Sequence, residues 1–544
     1  MRRPRIAIFA AALALPSCFP PGDGREPPLD QVYFPVGLAL SSGGDRLFVA
    51  NSDFDLQYNA GTLMVLDATR IRELLPTECE TDSDCGAGRR CDNQSQGTEA
   101  PSYWCVAEGQ SSPCGAFGEK SAATRVLEPG RCNFATFTQV ADGGRDLLLD
   151  SVVISAFATD SVYRSAPQGG GRLFIPVRGD ATLHWADVED EVGGVQGALY
   201  RDGYGRRRHI DCGQGSGSEC DDGHRRGDDD GETSVVGDEL PIEPYGVAVS
   251  DDGEAVVTTH QSTGQLALFV NDWCDPSAGP KLTSVLSGLS TRPIAITPLP
   301  IPQTYLQPDA QACGSTLAQG SRYQPSFLVS YRYSPIVQLI RYFNAESSAP
   351  GEAQLEAGEA AQVSVVPGFD TRGIAVDGSA RQECEAACGD DACVDTCASL
   401  PLQVYLANRF PAGLLTGSTS ASSGDFPRND LPNLTEVEPL RGSPSRVVVG
   451  HVIGDDGQPS LRVFVVTFDT RFVYIYDPKL DQIEARVYTG RGPYAFAVDS
   501  KNGIGYVGHF TDSYLGVIDL DRRHRSYGEI VLTLGQPRAP RASK

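Results

Sequence analysis

The chain has 544 residues, 70 acidic side chains against 45 basic ones, and a net charge of −25. That balance excludes the basic footprint that nucleic-acid phosphates require, and it gives no attraction to anionic lipid heads. With 59 glycines, 37 prolines and 40% hydrophobic residues, the composition is that of a turn-rich β protein rather than a disordered chain.

Met1-Arg2-Arg3-Pro4-Arg5 is a positively charged start, Ile6 to Leu15 is an apolar run too short to span a bilayer, and Cys18 follows a small residue in Leu15-Pro16-Ser17-Cys18. The segment resembles a bacterial lipoprotein signal, with an ordinary secretory signal as the alternative. The resemblance implies removal of residues 1–17 and lipidation of the Cys18 thiol, so that membrane contact comes from the lipid. Phe19 stands where the inner-membrane retention signal carries Asp, which points to the outer membrane of a Gram-negative cell. Residues 18–30 form a Pro/Gly-rich tether. No other apolar run approaches the length of a membrane span.

A repeat then organises residues 31–535. Phe34 to Asp67, Glu243 to Asp272 and Arg491 to Asp519 each read as an apolar strand, a Gly-containing turn, a second strand, a polar loop, and a third strand ending in Asp. Weaker copies begin at Asp150, Arg292, Thr371 and Ser445, and the third strand of the Thr371 copy is not evident. A fourth strand often follows, as in Gln482 to Tyr488 and Glu529 to Leu534. Units of this kind bury both faces only by stacking on neighbours, and radial stacking gives an all-β fold, a β-propeller of four-stranded blades. Seven copies predict seven blades, with six or eight as alternatives.

Gly490-Arg491-Gly492-Pro493, Ser250-Asp251-Asp252-Gly253, Val49-Ala50-Asn51, Leu406-Ala407-Asn408 and Val517-Ile518-Asp519 together resemble the YVTN-type β-propeller repeat. The resemblance implies a backbone, not an activity. Asp67, Asp272, Asp477 and Asp519 end third strands, where a carboxylate accepts turn amides, and are read as structural. The last strand, Glu529 to Leu534, is expected to share a blade with Gln31 to Phe34 and so close the ring. Residues 536–544 form a basic tail expected to be disordered.

The fifteen cysteines leave fourteen once Cys18 is set apart, enough for seven disulfides in an oxidising compartment. They cluster locally. Cys79, Cys85, Cys91, Cys105, Cys114 and Cys132 lie in an insertion at about 68–145, expected between the first two blades as a stapled knot. Cys212 and Cys220 lie in a charged loop at about 190–240; Cys274 and Cys313 form another group. Cys384, Cys388, Cys393 and Cys397, at about 380–400, suit nested bridges Cys384–Cys397 and Cys388–Cys393 in a helical hairpin, or a metal clamp. Thiolates in the first cluster are spaced too widely for zinc. Asp228 to Glu232 invites calcium, but an EF-hand frame would put Arg226 at the first ligand position, so a solvated loop is the reading and no cofactor is assigned.

In this repeat family the loop after the second strand opens at one mouth of the central channel. Alignment of the units puts Asn51, Arg178, His260, Tyr331, Asn408, Phe468 and His509 at or beside that position, a candidate ring for a small ligand; loop residues meeting water are the plain alternative. His184, in an apolar strand, is expected to be packed in the core. The chain has no Gly-x-Ser-x-Gly elbow, His-Glu-x-x-His, P-loop or nucleotide fingerprint. Three functions follow in order: a lipid-anchored binding or scaffolding module for an envelope protein, glycan or small ligand, without nucleic acid; a hydrolase such as a lactonase using the funnel; and a cofactor-carrying electron-transfer propeller, which the absence of a Cys-x-x-Cys-His haem motif disfavours.

Overall fold

The computed structural model describes residues 24–94, 102–140, 144–167, 169–189, 199–227, 240–273, 277, 279–290, 292–301, 325–343, 353–366, 369–420 and 430–538. Cys18, Cys274, Cys313 and the Asp228–Glu232 run lie outside them.

Seven sheets follow one another along the chain as blades, five of four antiparallel strands and those of blades two and seven with a fifth strand added at the outer edge. The innermost strands are Pro35–Leu40, Val162–Ser165, Pro244–Val249, Pro293–Pro298, Thr371–Asp377, Pro444–Ile453 and Pro493–Asp499. The second strands are Arg46–Asn51, Gly171–Val177, Ala255–His260, Ser326–Tyr331, Gln403–Asn408, Pro459–Thr467 and Ile504–His509. Alternating Val, Ile, Leu, Phe and Tyr on these strands fill both faces of each blade, as β-branched and aromatic side chains do on a pleated surface. One apolar cluster sits at each blade-to-blade interface: Phe174, Leu183 and Trp185 of blade two meet Val247, Val256 and Phe269 of blade three, for example. Likewise, Leu47, Val49 and Met64 of blade one meet Tyr506, Leu515 and Leu532 of blade seven. Seven such clusters close a seven-bladed ring.

The third-strand carboxylates act locally. Asp67 accepts Arg70 N at 2.9 Å and caps the short helix Ala68–Glu73; Asp477 accepts Lys479 N at 2.8 Å; Asp519 accepts Asp521 N at 3.0 Å. The third strand of blade five is Gly413–Thr419.

Two expectations about blade order are corrected. The apolar run after Asp150 is not the first strand of blade two: Leu148–Ile154 pairs with Gly61–Asp67 as the outermost strand of blade one. The first strand of blade two is Val162–Ser165, whose polar sequence VYRS hides it. The cysteine-rich insertion therefore interrupts blade one, between its third and fourth strands.

Ring closure differs too. Ile530–Leu534 pairs with Tyr514–Asp519 inside blade seven, not with Gln31 to Phe34. Its outer edge instead takes Phe134–Ala135 of the insertion as a parallel partner, which covers an edge that would otherwise present unpaired amides. Lys120, also from the insertion, is buried and donates to Thr533 Oγ1 at 2.8 Å. Glu78 accepts the amides of Arg525 and Ser526 at 2.7 and 3.0 Å. The insertion is thus a clasp from blade one onto blade seven, tied by Cys79–Cys91, Cys85–Cys105 and Cys114–Cys132.

Cys212–Cys220 closes the loop that supplies the outer edge of blade two, where Ile210–Asp211 and Arg225–Arg226 both pair with Thr182–Val188. Helices Ser379–Ala386 and Asp391–Ala398 form a hairpin with nested bridges Cys384–Cys397 and Cys388–Cys393. No helix among the described residues is long and apolar enough to cross a membrane.

Candidate functional site

Five of the seven innermost strands begin with proline, which has no amide to donate at the frayed end of the ladder. Each of these prolines pairs with the last residue of the neighbouring second strand: Pro35 with Asn51, Pro244 with His260, Pro293 with Tyr331, Pro444 with Thr467, Pro493 with His509. In blade five Thr371 pairs with Asn408 in the same way. The register then shifts in all six, and the bulge re-aims the residue that follows. The residue before the proline is held at positive φ in four blades: Phe34 at 49°, Glu243 at 56°, Arg292 at 66° and Gly492 at 65°. A Cβ at Gly492 would lie 2.1 Å from Thr511 Oγ1, so glycine is required there.

Five of the bulged residues, Val36, Tyr245, Arg372, Ser445 and Tyr494, turn into a cavity of about 390 Å³ at one mouth of the channel. The loops after the second strands add Ser52, Phe54, Arg178, Arg409, Phe468, Asp469 and Phe510, and the link from blade one to blade two adds Phe157 and Thr159. Two contacts span the channel here. Tyr245 and Tyr494 share a 2.8 Å hydroxyl contact between blades three and seven, and Arg446 donates to Asp160 at 2.9 Å between blades six and two. Burial, and then the neighbouring Tyr245, push the Tyr494 phenol well above its ordinary value.

One side of the cavity is aromatic. Phe510 lies 5.2 Å from Phe54, 6.3 Å from Phe468 and 6.1 Å from Tyr494, ring centre to ring centre, and Phe54 lies 6.1 Å from Phe157. Phe54 is nonetheless 53% exposed, and Tyr333 and Phe410 stand exposed on the loops after the second strands of blades four and five. The other side carries guanidiniums, each tethered by one nitrogen: Arg178 to Glu243 at 2.6 Å, Arg372 to Asp370 at 3.0 Å, Arg409 to Asp469 at 3.2 Å.

Of the seven residues expected at the mouth, Arg178 and Phe468 line the cavity; Asn51, His260, Tyr331, Asn408 and His509 do not, being buried at the ends of their strands. Four of those five tie down the loop leading into their own blade. Asn51 Oδ1 accepts Tyr33 N at 3.1 Å, Asn408 Oδ1 accepts Asp370 N at 3.0 Å, and His509 Nε2 accepts Gly490 N at 3.1 Å. His260 Nδ1 lies 3.3 Å from Ile242 O. Tyr331 donates its hydroxyl to Gln338 at 2.8 Å. Burial lowers His260 to about 4 and His509 to about 3, so both are neutral at pH 7. His184 is buried in its strand, with its pKa lowered by burial.

The offset is one residue. Arg178 and Phe468 already lie one step past Val177 and Thr467, where their strands end, and the corresponding step past Asn51, Asn408 and His509 gives Ser52, Arg409 and Phe510, all of which line the cavity. Side chains alternate between faces along a strand, so that step exchanges a buried latch for a channel residue. For four of the five bulged residues, Val36, Tyr245, Ser445 and Tyr494, the signal was the proline before each, while Arg372 follows Thr371.

No protein-family model matches the chain, and no curated protein matches it. Among solved structures it is similar to candidate 6-phosphogluconolactonases of Bacteroides uniformis and Bacteroides fragilis. The first is 10% identical over 84% of this chain and 86% of that one, with a TM-score of 0.41. The second is 9% identical over 85% and 86%, with a TM-score of 0.41. Virginiamycin B lyase of Staphylococcus aureus is 8% identical over 88% and 94%, with a TM-score of 0.39. Likeness at this level says nothing about chemistry.

Proposed function

We propose that the chain is a lipid-anchored cell-envelope propeller that binds a ligand at the mouth of its channel. The observation that carries this reading is the cavity itself: about 390 Å³, concave, mostly apolar, with a few convergent polar groups. The signal-like segment ending at Cys18 and the disulfides support placement outside the cytoplasm. A hydrolase needs a base free to take a proton. Among the described residues the cavity is lined by no histidine, and its one carboxylate, Asp469, is paired with Arg409. Binding is therefore the reading the geometry supports over lactone or ester cleavage.

The test is fractionation of cells expressing the full chain or Cys18→Ala, followed by cross-linking of the membrane-bound protein and screening of the purified protein for lactone turnover. Wild type in the membrane fraction, Cys18→Ala in the soluble one and no turnover are the expected results. Turnover that disappears in Asp469→Asn would replace the binding reading with the hydrolase.

A further inference from the structure

We infer that the mouth cavity takes a small amphipathic anion: an aromatic or aliphatic body against the phenylalanine wall, and an oxyanion such as a carboxylate against the arginines. The inference rests on the binding reading above and names its ligand class.

Charge is the first argument. The whole chain is strongly acidic, yet the cavity lining carries three guanidiniums, Arg178, Arg372 and Arg409, and one carboxylate, Asp469, while Glu243 and Asp370 pair with Arg178 and Arg372 from outside the lining. Their partners hold each through a single nitrogen, although a guanidinium offers five donors in a planar fork suited to a two-oxygen acceptor. An oxyanion placed between these arginines takes charge-assisted hydrogen bonds from guanidinium nitrogens that their carboxylate partners leave unused.

Apolar surface is the second. Phe54, Phe468 and Phe510 offer rings and no hydroxyl, so this wall takes the apolar face of a ligand rather than its polar groups. A flat or aliphatic body gains from the same wall by burial and by ring contact. The two halves of the cavity therefore select opposite ends of one molecule.

The experiment uses the full-length mature protein and 8-anilinonaphthalene-1-sulfonate, an aromatic anion that fluoresces in apolar sites, displaced by 1-naphthoate, by its neutral amide and by maltose. The naphthoate is expected to displace the probe at a concentration about tenfold below the amide, the equivalent of one charge-assisted hydrogen bond, with maltose inactive. Arg372→Met with Arg409→Met should erase the difference between acid and amide, Arg409→Lys should retain most of it, and Phe510→Ala should weaken both. Melting curves establish that each variant is folded. Equal displacement by acid and amide, or displacement by maltose alone, overturns the anion assignment and leaves a mouth receptor of another class. Failure of every compound to bind, with probe fluorescence unchanged by Phe510→Ala, overturns both this inference and the binding reading.

Discussion

The guanidinium of Arg446 reaches from blade six to the carboxylate of Asp160 in blade two, 2.9 Å away. It also lies 5.4 Å from the ring centre of Tyr494, whose hydroxyl meets Tyr245. Four blades are thereby joined through the middle of the ring, and these side chains form a plug across the channel.

The plug gives the first prediction. Both partners keep about a fifth of their side chains exposed, so the pair falls between a surface bridge and a fully buried one. Arg446→Met and Asp160→Asn should each destabilise the fold, with the double variant less destabilised than the sum, a coupling of about 1–3 kcal/mol. Denaturant unfolding of the four proteins measures it. Additive losses would mean that the contact does not hold the ring.

The buried histidines give the second. His260 and His509 have folded-state pKa values of about 4 and about 3, below the unfolded value of ~6.5. The unfolded chain binds protons more readily as pH falls below that value, so the stability these groups contribute is full above it and is lost on acidification. Between pH 7.5 and 5 each should cost about 2 kcal/mol. The raised carboxyl of Asp53, at about 7 from burial, acts in the opposite direction over the same range, so the comparison is with His260→Asn and His509→Asn rather than with wild type alone. The repeat itself uses asparagine at this latch in blades one and five. The variants should be weaker at pH 7.5 and show a flatter pH profile; a profile as steep as wild type would contradict the assignment.

The clasp gives the third. Cys114–Cys132 spans 18 residues and anchors the chain just before Phe134–Ala135, the strand that covers blade seven. Replacing both cysteines with serine should cost about 2–4 kcal/mol and raise amide exchange in Ile530–Leu534. Removal of Cys212–Cys220, on blade two, should leave exchange in that strand unchanged.

Periodic signals carried the fold. Apolar strands ending in Asn or Asp and separated by Gly turns repeat often enough in sequence to indicate the blades, and nested spacing indicated the bridges of Cys384 to Cys397. What failed were features that depend on distant partners. Val162–Ser165 is short and polar and is a strand through its pairing with Gly171–Val177, and Phe134–Ala135 is a strand only because Ile530–Leu534 lies beside it. Five of the seven residues aligned to the mouth stop short of the cavity for a related reason. Alignment located the end of each second strand, but the cavity is lined one step further on and by the residues bulged on the innermost strands, and that bulge is a property of the pairing rather than of either strand alone.

The most direct test of the mouth cavity as a ligand site is native mass spectrometry of the protein purified from its own membranes, wild type beside Ser445→Trp, a bulged position where an indole would fill the cavity. Wild type is expected to retain a small additional mass that Ser445→Trp lacks at equal folded stability. The same additional mass on both proteins, or on neither, would contradict it.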